Sequence, residues 1–379
     1  MTSSLRRYAL NSALVVALAA LAGCEKPDGL QELAAARAAY EVRDLKKAEK
    51  LLDKSLSHNP TNVEALVRYA MVKVDLGEIP LAEDAIGRAA ALAASDLDVR
   101  LLSAQIAYHQ NDYPKAHRIY AEIASDASLD SKTRAQGFSG QGVVELAGNE
   151  IDLARLSFLK AQRLDVKNAP ARYHLGLIYQ GLGYYRYAQE QFEIFVRLAE
   201  LADRRVQDVQ RKTIPIIQDA IARQASERPG VSKRDSAAAA TALEAAEAAW
   251  NRGHFKTAKL RYQDALAADP LSFQAAIGLA KAWEKTDATA EGQKKMFEYY
   301  KTACSLNESS VKTLLTTGEL AMKLGHYATA VEVYSRAMAA DPANISAIDG
   351  LIRALRKAGG KNSIAAAYQS YRDLVTKKR

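Results

Sequence analysis

At 379 residues the chain is long for one compact domain and suits two or three, or an array of repeats. Only 20 Gly and 9 Pro occur, a low share that argues against a loop-rich all-β fold and long disordered linkers, while a hydrophobic fraction of 49% suffices for a continuous core. Lys and Arg outnumber Asp and Glu by 52 to 44, a mild basic excess, and two Cys exclude a disulfide-stapled scaffold.

Residues 1–23 read as a signal peptide. Arg6 and Arg7 form a positive start, and the apolar run from Ala13 to Ala22 is about ten residues, half of the roughly 20 a membrane helix needs. The run closes on Leu21-Ala22-Gly23-Cys24, which resembles the lipobox of bacterial lipoproteins. That resemblance implies cleavage before Cys24 and lipidation of its thiol. An ordinary secretory signal and a stray apolar helix are the alternatives. Multiple acyl chains anchor firmly where a single one is marginal. Glu25, in place of the Asp that retains many such proteins in the inner membrane, favours by the same resemblance the outer membrane, facing the periplasm. Nucleic acid is then an unexpected partner despite the charge. Cys304 loses any partner within the chain and is expected to be a buried packing residue. Residues 24–28 leave only a short tether.

The remainder repeats. A small residue in the pattern of Tyr or Leu, two residues, Ala, three residues, aromatic or Leu recurs at Ala48, Ala82, Ala116, Ala154, Ala188, Ala258, Met296, Ala330 and Ile364. The intervals are 34 residues, with two of 38 and one of 70. This pattern resembles the tetratricopeptide repeat (TPR), a helix–turn–helix unit, and implies an all-α, right-handed superhelical α-solenoid of about nine repeats. Residues 169–202 display it best, with Leu175-Gly176 and Tyr179 on helix A, Gly183 and Tyr185 at the turn, and Ala188, Phe192 and Phe195 on helix B. The spacing has physical sense. Gly77, Gly183, Gly253 and Gly325 end helix A, where a left-handed C-cap costs least. Tyr120, Phe158, Phe192, Tyr262, Tyr334 and Tyr368, four residues after the crossing position, fill the same helix face. Prolines fall between repeats, in linkers or in first turns, except Pro215, which should kink a helix.

The 70-residue interval holds Gln210, Ile217 and Pro229 where repeat residues would fall, and none fits. A basic helix over about 202–224 and a linker over 226–234 are expected there. The chain therefore divides into array 1 (29–202, repeats 1–5), a basic helix and linker (203–238) and array 2 (239–379, repeats 6–9); one continuous superhelix with an oversized joint is the alternative.

No chemistry-bearing motif emerges. There is no phosphate-binding G-x-x-x-x-G-K-[ST], no H-E-x-x-H and no Cys pair for zinc, so neither an enzyme nor a cofactor is expected. Gly137-Phe138-Ser139-Gly140 lacks the closing Gly of a nucleophile elbow. His254 and His326 sit at repeat turns and read as caps or surface residues.

A repeat array offers surface instead. The TPR resemblance implies a concave groove lined by helix A. In repeats two to five the matching positions hold Val67, Met71, Val74, Leu101, Gln105, Tyr108, Val143, Leu146, Tyr173 and Leu177, suited to an amphipathic helix or apolar peptide. Helix-to-helix packing explains that stripe equally well. In repeats seven to nine they hold Lys281, Lys285, Lys312, Lys323, Arg353, Arg356 and Lys357 against Glu284, Glu319 and Asp349, suited to an acidic peptide or acidic polysaccharide. A solvated charged face is the alternative. Trp250 lies on the groove side of the sixth repeat as a candidate hot spot. The carboxylate-gripping class of TPR carries Lys at helix A position 5, where this chain has Leu33, Val67, Leu101, Ser139, Tyr173, Leu243, Ile277, Leu315 and Asp349, so that ligand is excluded.

The resemblance to TPR lipoproteins implies a lipid-anchored periplasmic scaffold that assembles an envelope machine. A type IV or tight-adherence pilus, or secretin-type secretion, is the leading expectation, with a secretin, pilus or export component as partner. An exopolysaccharide-export scaffold and a regulatory adaptor of peptidoglycan synthases or hydrolases remain open beside it.

Overall fold

The computed structural model describes residues 28–199, 203–227 and 234–377, and every regular element among them is helical. The expected signal peptide, Cys24, Pro27, Pro229 and residues 228–233 of the expected linker lie outside the described residues. The expected all-α solenoid of helix–turn–helix repeats is what forms. Two compact units divide between Ile123 and Ala124, and residues 203–227 fall inside the second.

The first unit holds three hairpins: α1 (Leu30–Glu41) with α2 (Leu45–His58), α3 (Val63–Asp75) with α4 (Ile79–Leu92), and α5 (Leu97–His109) with α6 (Tyr113–Ser125), whose last turn crosses the division. Side chains of Asp44, Asn62 and Asp96 cap α2, α3 and α5 by accepting from the amides of Lys47, Ala65 and Val99. Each such cap contributes about 1 kcal/mol. At the α3–α4 turn, Gly77 adopts φ +79°, its amide donates to Val74 O at 3.0 Å, and the Glu78 amide donates to Lys73 O at 2.8 Å. That pair of bonds is a Schellman termination. The same left-handed position is held by Arg43, Asn111 and Asn149 in three of the repeats without Gly there. Asn tolerates that conformation better than most side chains.

The second unit continues with α7 (Ser131–Ala147) and α8 (Ile151–Leu164), α9 (Ala169–Gly181) and α10 (Tyr185–Leu198), then α11 (Arg204–Asp208), a π turn (Val209–Thr213) and α12 (Ile214–Ser226). Four hairpins follow: α13 (Ser236–Asn251) with α14 (Phe255–Ala268), α15 (Phe273–Thr286) with α16 (Ala290–Leu306), α17 (Val311–Lys323) with α18 (Tyr327–Ala340), and α19 (Ile345–Ala358) with α20 (Asn362–Thr376). At Pro215, where a kink is expected, the helix carries that π turn immediately before the proline. The Ile214 amide reaches back five residues to Val209 O, and Pro215, which has no N–H to give, opens the regular helix that follows.

Packing follows the repeat code. Ala48, Ala82, Ala116, Ala154, Ala188, Ala258 and Ala330 are fully buried where the paired helices cross, whereas the larger Met296 and Ile364 are half-buried. Phe158, Phe192, Tyr262, Tyr334 and Tyr368 are buried one turn later. Tyr334 shows how little slack remains. Its ring lies between Gly318 of its own hairpin and Gly350 of the next, and a Cβ on either glycine would stand 2.6 or 2.3 Å from a ring carbon. Cys304 is buried as expected, in contact with the Thr317 hydroxyl at 3.1 Å.

Contacts between the two ends of the second unit depart from nearest-neighbour stacking. In an open array each repeat touches only its neighbours, but α20 packs against α8, and a single apolar core joins residues 135–217 to residues 280–371. The last hairpin of the second unit is thus docked on its first.

Candidate protein-interaction surfaces

In the first unit the expected apolar stripe is largely used for packing. Val67 is buried among Leu66, Ala70, Ile86 and Leu102. Met71, half-buried, closes a narrow crevice with Ala36, Tyr40 and Leu52. Leu101 and Tyr108 are half-buried, and the Tyr108 ring leans on Tyr113 at 5.8 Å. Around this stripe run polar contacts joining α3 to the hairpin before it. Arg37 pairs with Glu64, and Asp75 accepts from Tyr40 at 2.7 Å and Arg43 at 2.6 Å. Buried Lys73 bridges Glu49 and Glu78; burial opposes its charge, but the two carboxylates outweigh it and raise its pKa.

In the second unit Tyr173 packs against Phe195 at 5.1 Å, and the Arg205 guanidinium of α11 covers its ring at 5.0 Å. Asp203 holds Arg205 in place at 2.6 Å. The basic helix thereby occupies part of the expected groove at repeat five and leaves Leu177, 39% exposed, beside it. His174 stacks on Phe158, and burial, with Arg205 nearby, lowers its pKa to about 4. Trp250 is half-buried, edge-to-face with Phe255 at 4.9 Å. Sequence reasoning passed over Trp283, whose ring carries Lys259 Nζ at 3.9 Å and whose Nε1 is buried without an acceptor. His254 and His326 stand at the starts of α14 and α18, exposed, and neither side chain makes a capping bond.

The basic positions are the most open. Lys281 and Lys285 on α15, Lys312 and Lys323 on α17, and Arg353, Arg356 and Lys357 on α19 are all exposed, and none is in an ion pair among the described residues. Of the opposing carboxylates, Asp349 is already bound by Arg372 of α20 at 2.5 Å, leaving Glu284 and Glu319.

The docking of α20 on α8 centres on Arg155, which is 4% exposed. Its Nη2 donates to Tyr368 Oη at 2.7 Å, Asp152 Oδ1 at 3.2 Å and Ser335 Oγ at 3.3 Å. Burial works against this cation, while Tyr368, Asp152 and Tyr179 favour it and keep it protonated. Nearby, Tyr187 donates to Glu308 O and Tyr371 to Pro342 O at 3.0 Å. Nothing in the repeat pattern marks Arg155, because the residue after the crossing Ala is Glu49, Glu83, His117, Gln189, Lys259 or Val331 elsewhere.

Among the described residues no three His, Cys, Asp or Glu side chains gather as a metal site would require, and no helix is long and apolar enough to cross a membrane. The tetratricopeptide repeat family model matches residues 70–130 and 243–292. No curated protein matches the sequence. Solved structures similar to the chain include pilF of Pseudomonas aeruginosa, at 16% identity over 65% of this chain and 95% of that one with a TM-score of 0.40. PilW, described as a widely conserved type IV pilus biogenesis factor, is 12% identical over 65% of this chain and 96% of that one with a TM-score of 0.40. The Cut9–Hcn1 assembly is 17% identical over 90% of this chain and 78% of that one with a TM-score of 0.35. What the segments matched by the family model establish is that this chain carries tetratricopeptide repeats.

Proposed function

We propose that the chain is a lipid-anchored scaffold of the bacterial outer membrane, facing the periplasm, that holds protein components of an envelope machine together. A type IV or tight-adherence pilus, or a secretin-type export system, is the machine class. The address rests on Leu21-Ala22-Gly23-Cys24, a lipobox-like run placed directly before the repeats. The observation that carries the scaffold reading is the set of seven exposed, unpaired cations on α15, α17 and α19. A charge left without an internal partner is free to steer and orient an acidic partner. The same cations favour a second reading, in which the partner is an acidic polysaccharide in an export complex.

The test is in-cell crosslinking from a photoreactive residue at Lys285 or Arg353, followed by membrane extraction and mass spectrometry. Links to a secretin or pilus component support the scaffold, and links to an export pore or to polysaccharide support the second reading. Links to peptidoglycan synthases or hydrolases instead overturn both and make the chain a regulatory adaptor. A Cys24→Ser variant that still fractionates with the membrane removes the lipid anchor from the proposal.

A further inference from the structure

The docking of the last hairpin on the first creates a cleft that neither element has alone. Its narrow part, about 180 Å³, is walled by Leu159, Gln162, Arg163 and Val166 at the end of α8, Arg172 on α9, the 341–343 turn, and Tyr371. Arg163 and Val166 also line a wider mouth of about 660 Å³, which adds Lys167, Leu374 and Lys377. The narrow part is smaller than the roughly 300–1,000 Å³ of a small-molecule pocket and suits one side chain, with flanking residues along the mouth.

Its charges are unbalanced in a particular way. Arg163, Lys167, Arg172 and Lys377 have no ion pair among the described residues. The two carboxylates that line the cleft accept from neutral backbone and amide donors and leave four cations against two anions. Asp165 accepts from the Lys167 amide at 3.0 Å, and Asp341 from the Ala343 amide and the Asn344 side chain at 3.2 Å. Arg172 is the sharpest case. Its guanidinium is half-buried and hydrogen-bonded only to neutral amides, donating to Gln191 Oε1 at 2.9 Å and to Gln162 once that amide presents its oxygen, while Glu190 favours its charge through space without an ion pair. Its Nε is buried and has no acceptor. Burial outweighs the attraction of Glu190 and lowers the Arg172 pKa, so this guanidinium is withdrawn from water with too little compensating charge, a cost that an entering carboxylate relieves. Between the cations stand aliphatic surfaces, with Val166 59% exposed and Leu159, Pro342 and Leu374 around it.

We propose that this cleft binds an extended segment of a partner protein in which Asp or Glu alternates with aliphatic side chains, the acidic group entering against Arg163 and Arg172. The apolar walls favour a peptide over a polysaccharide, which has carboxylates but no aliphatic side chains to seat. The proposal rests on the reading above that the chain binds protein partners.

A random dodecapeptide phage library selected on the full-length protein tests it. Enriched peptides are expected to carry Asp or Glu beside Leu, Ile or Val. They are expected to lose about tenfold or more in affinity on Arg172→Gln, the loss of one charge-assisted contact. Val166→Asp, at an exposed position that does not threaten folding, is expected to weaken them similarly. Peptides unaffected by both variants overturn the proposal. If they are weakened instead by Lys285→Glu or Arg353→Glu, the cleft fails while the protein-binding reading stands; if no peptide enriches, both fail. Binding of polygalacturonate that is lost on Arg172→Gln, without peptide binding, overturns the peptide in favour of the polysaccharide.

Discussion

Replacing Tyr368 with Phe tests whether the Arg155 contact holds the last hairpin of the second unit in place. The ring is retained, so packing and the cation–π approach of Arg155 at 5.9 Å are unchanged, and only the 2.7 Å bond to Oη is lost. Both partners are buried, so water cannot replace the acceptor. A hydrogen bond to a charged group is worth about 1.5–3 kcal/mol. Arg155 keeps Asp152 and Ser335, at 3.2 and 3.3 Å, so the lower half of that range, about 1.5–2 kcal/mol, is the expected cost. For a unit of this size each kcal/mol lowers Tm by about 2–4 °C, which predicts a drop of about 3–8 °C by calorimetry. Hydrogen exchange should locate it, with amides of α20 exchanging about tenfold faster while those of α13 and α14 keep their protection. A Tm within 1 °C of the parent, with α20 protection intact, would refute the idea that this contact secures the docking.

Gly350→Ala places a methyl group 2.3 Å from a Tyr334 ring carbon in a fully packed site, and overpacking of this kind costs about 1–3 kcal/mol, read by urea or thermal unfolding. His174, whose pKa burial lowers to about 4 against an ordinary value of 6.5, makes the second unit less stable as pH falls. The neutral ring is the form the fold accepts, so stability is full above about pH 6.5, declines between there and pH 4, and levels off below, by about 3 kcal/mol in all. His174→Phe should flatten that part of a Tm-against-pH curve. Burial also raises the Cys304 thiol pKa, so it should react with a thiol reagent only on unfolding, at a rate that tracks global stability.

The hairpins were legible because packing two helices of fixed length forces a period, and the crossing alanines with the aromatics one turn later record it. The turns at Arg43, Asn111 and Asn149 were not, since a left-handed residue leaves a clear trace only where it is Gly. The docking of α20 on α8 left no trace in the repeat pattern. It depends on Arg155 meeting Tyr368 across 213 positions, and neither residue breaks its local repeat. The candidate surfaces divide in the same way. The exposed cations of α15, α17 and α19 follow from helix A positions, whereas Arg163 and Arg172 face their cleft only because the 341–343 turn and Tyr371 arrive opposite them. Arg205 over Tyr173 is a further case, where an element outside the repeat pattern covers a residue the pattern marks as open.

An open stack of hairpins tolerates a change in their number, because an added or missing unit alters only its length. The second unit has given up that freedom. Deleting one hairpin between α13 and α18, or duplicating one, would carry α20 away from α8 by a full helix pair and leave the Arg155 guanidinium without its hydroxyls. The hairpin count of this unit is therefore under the same constraint as a buried side chain. Change by substitution along its surface is cheap, while change by gain or loss of a whole unit, the usual way repeat proteins diversify, is closed to it.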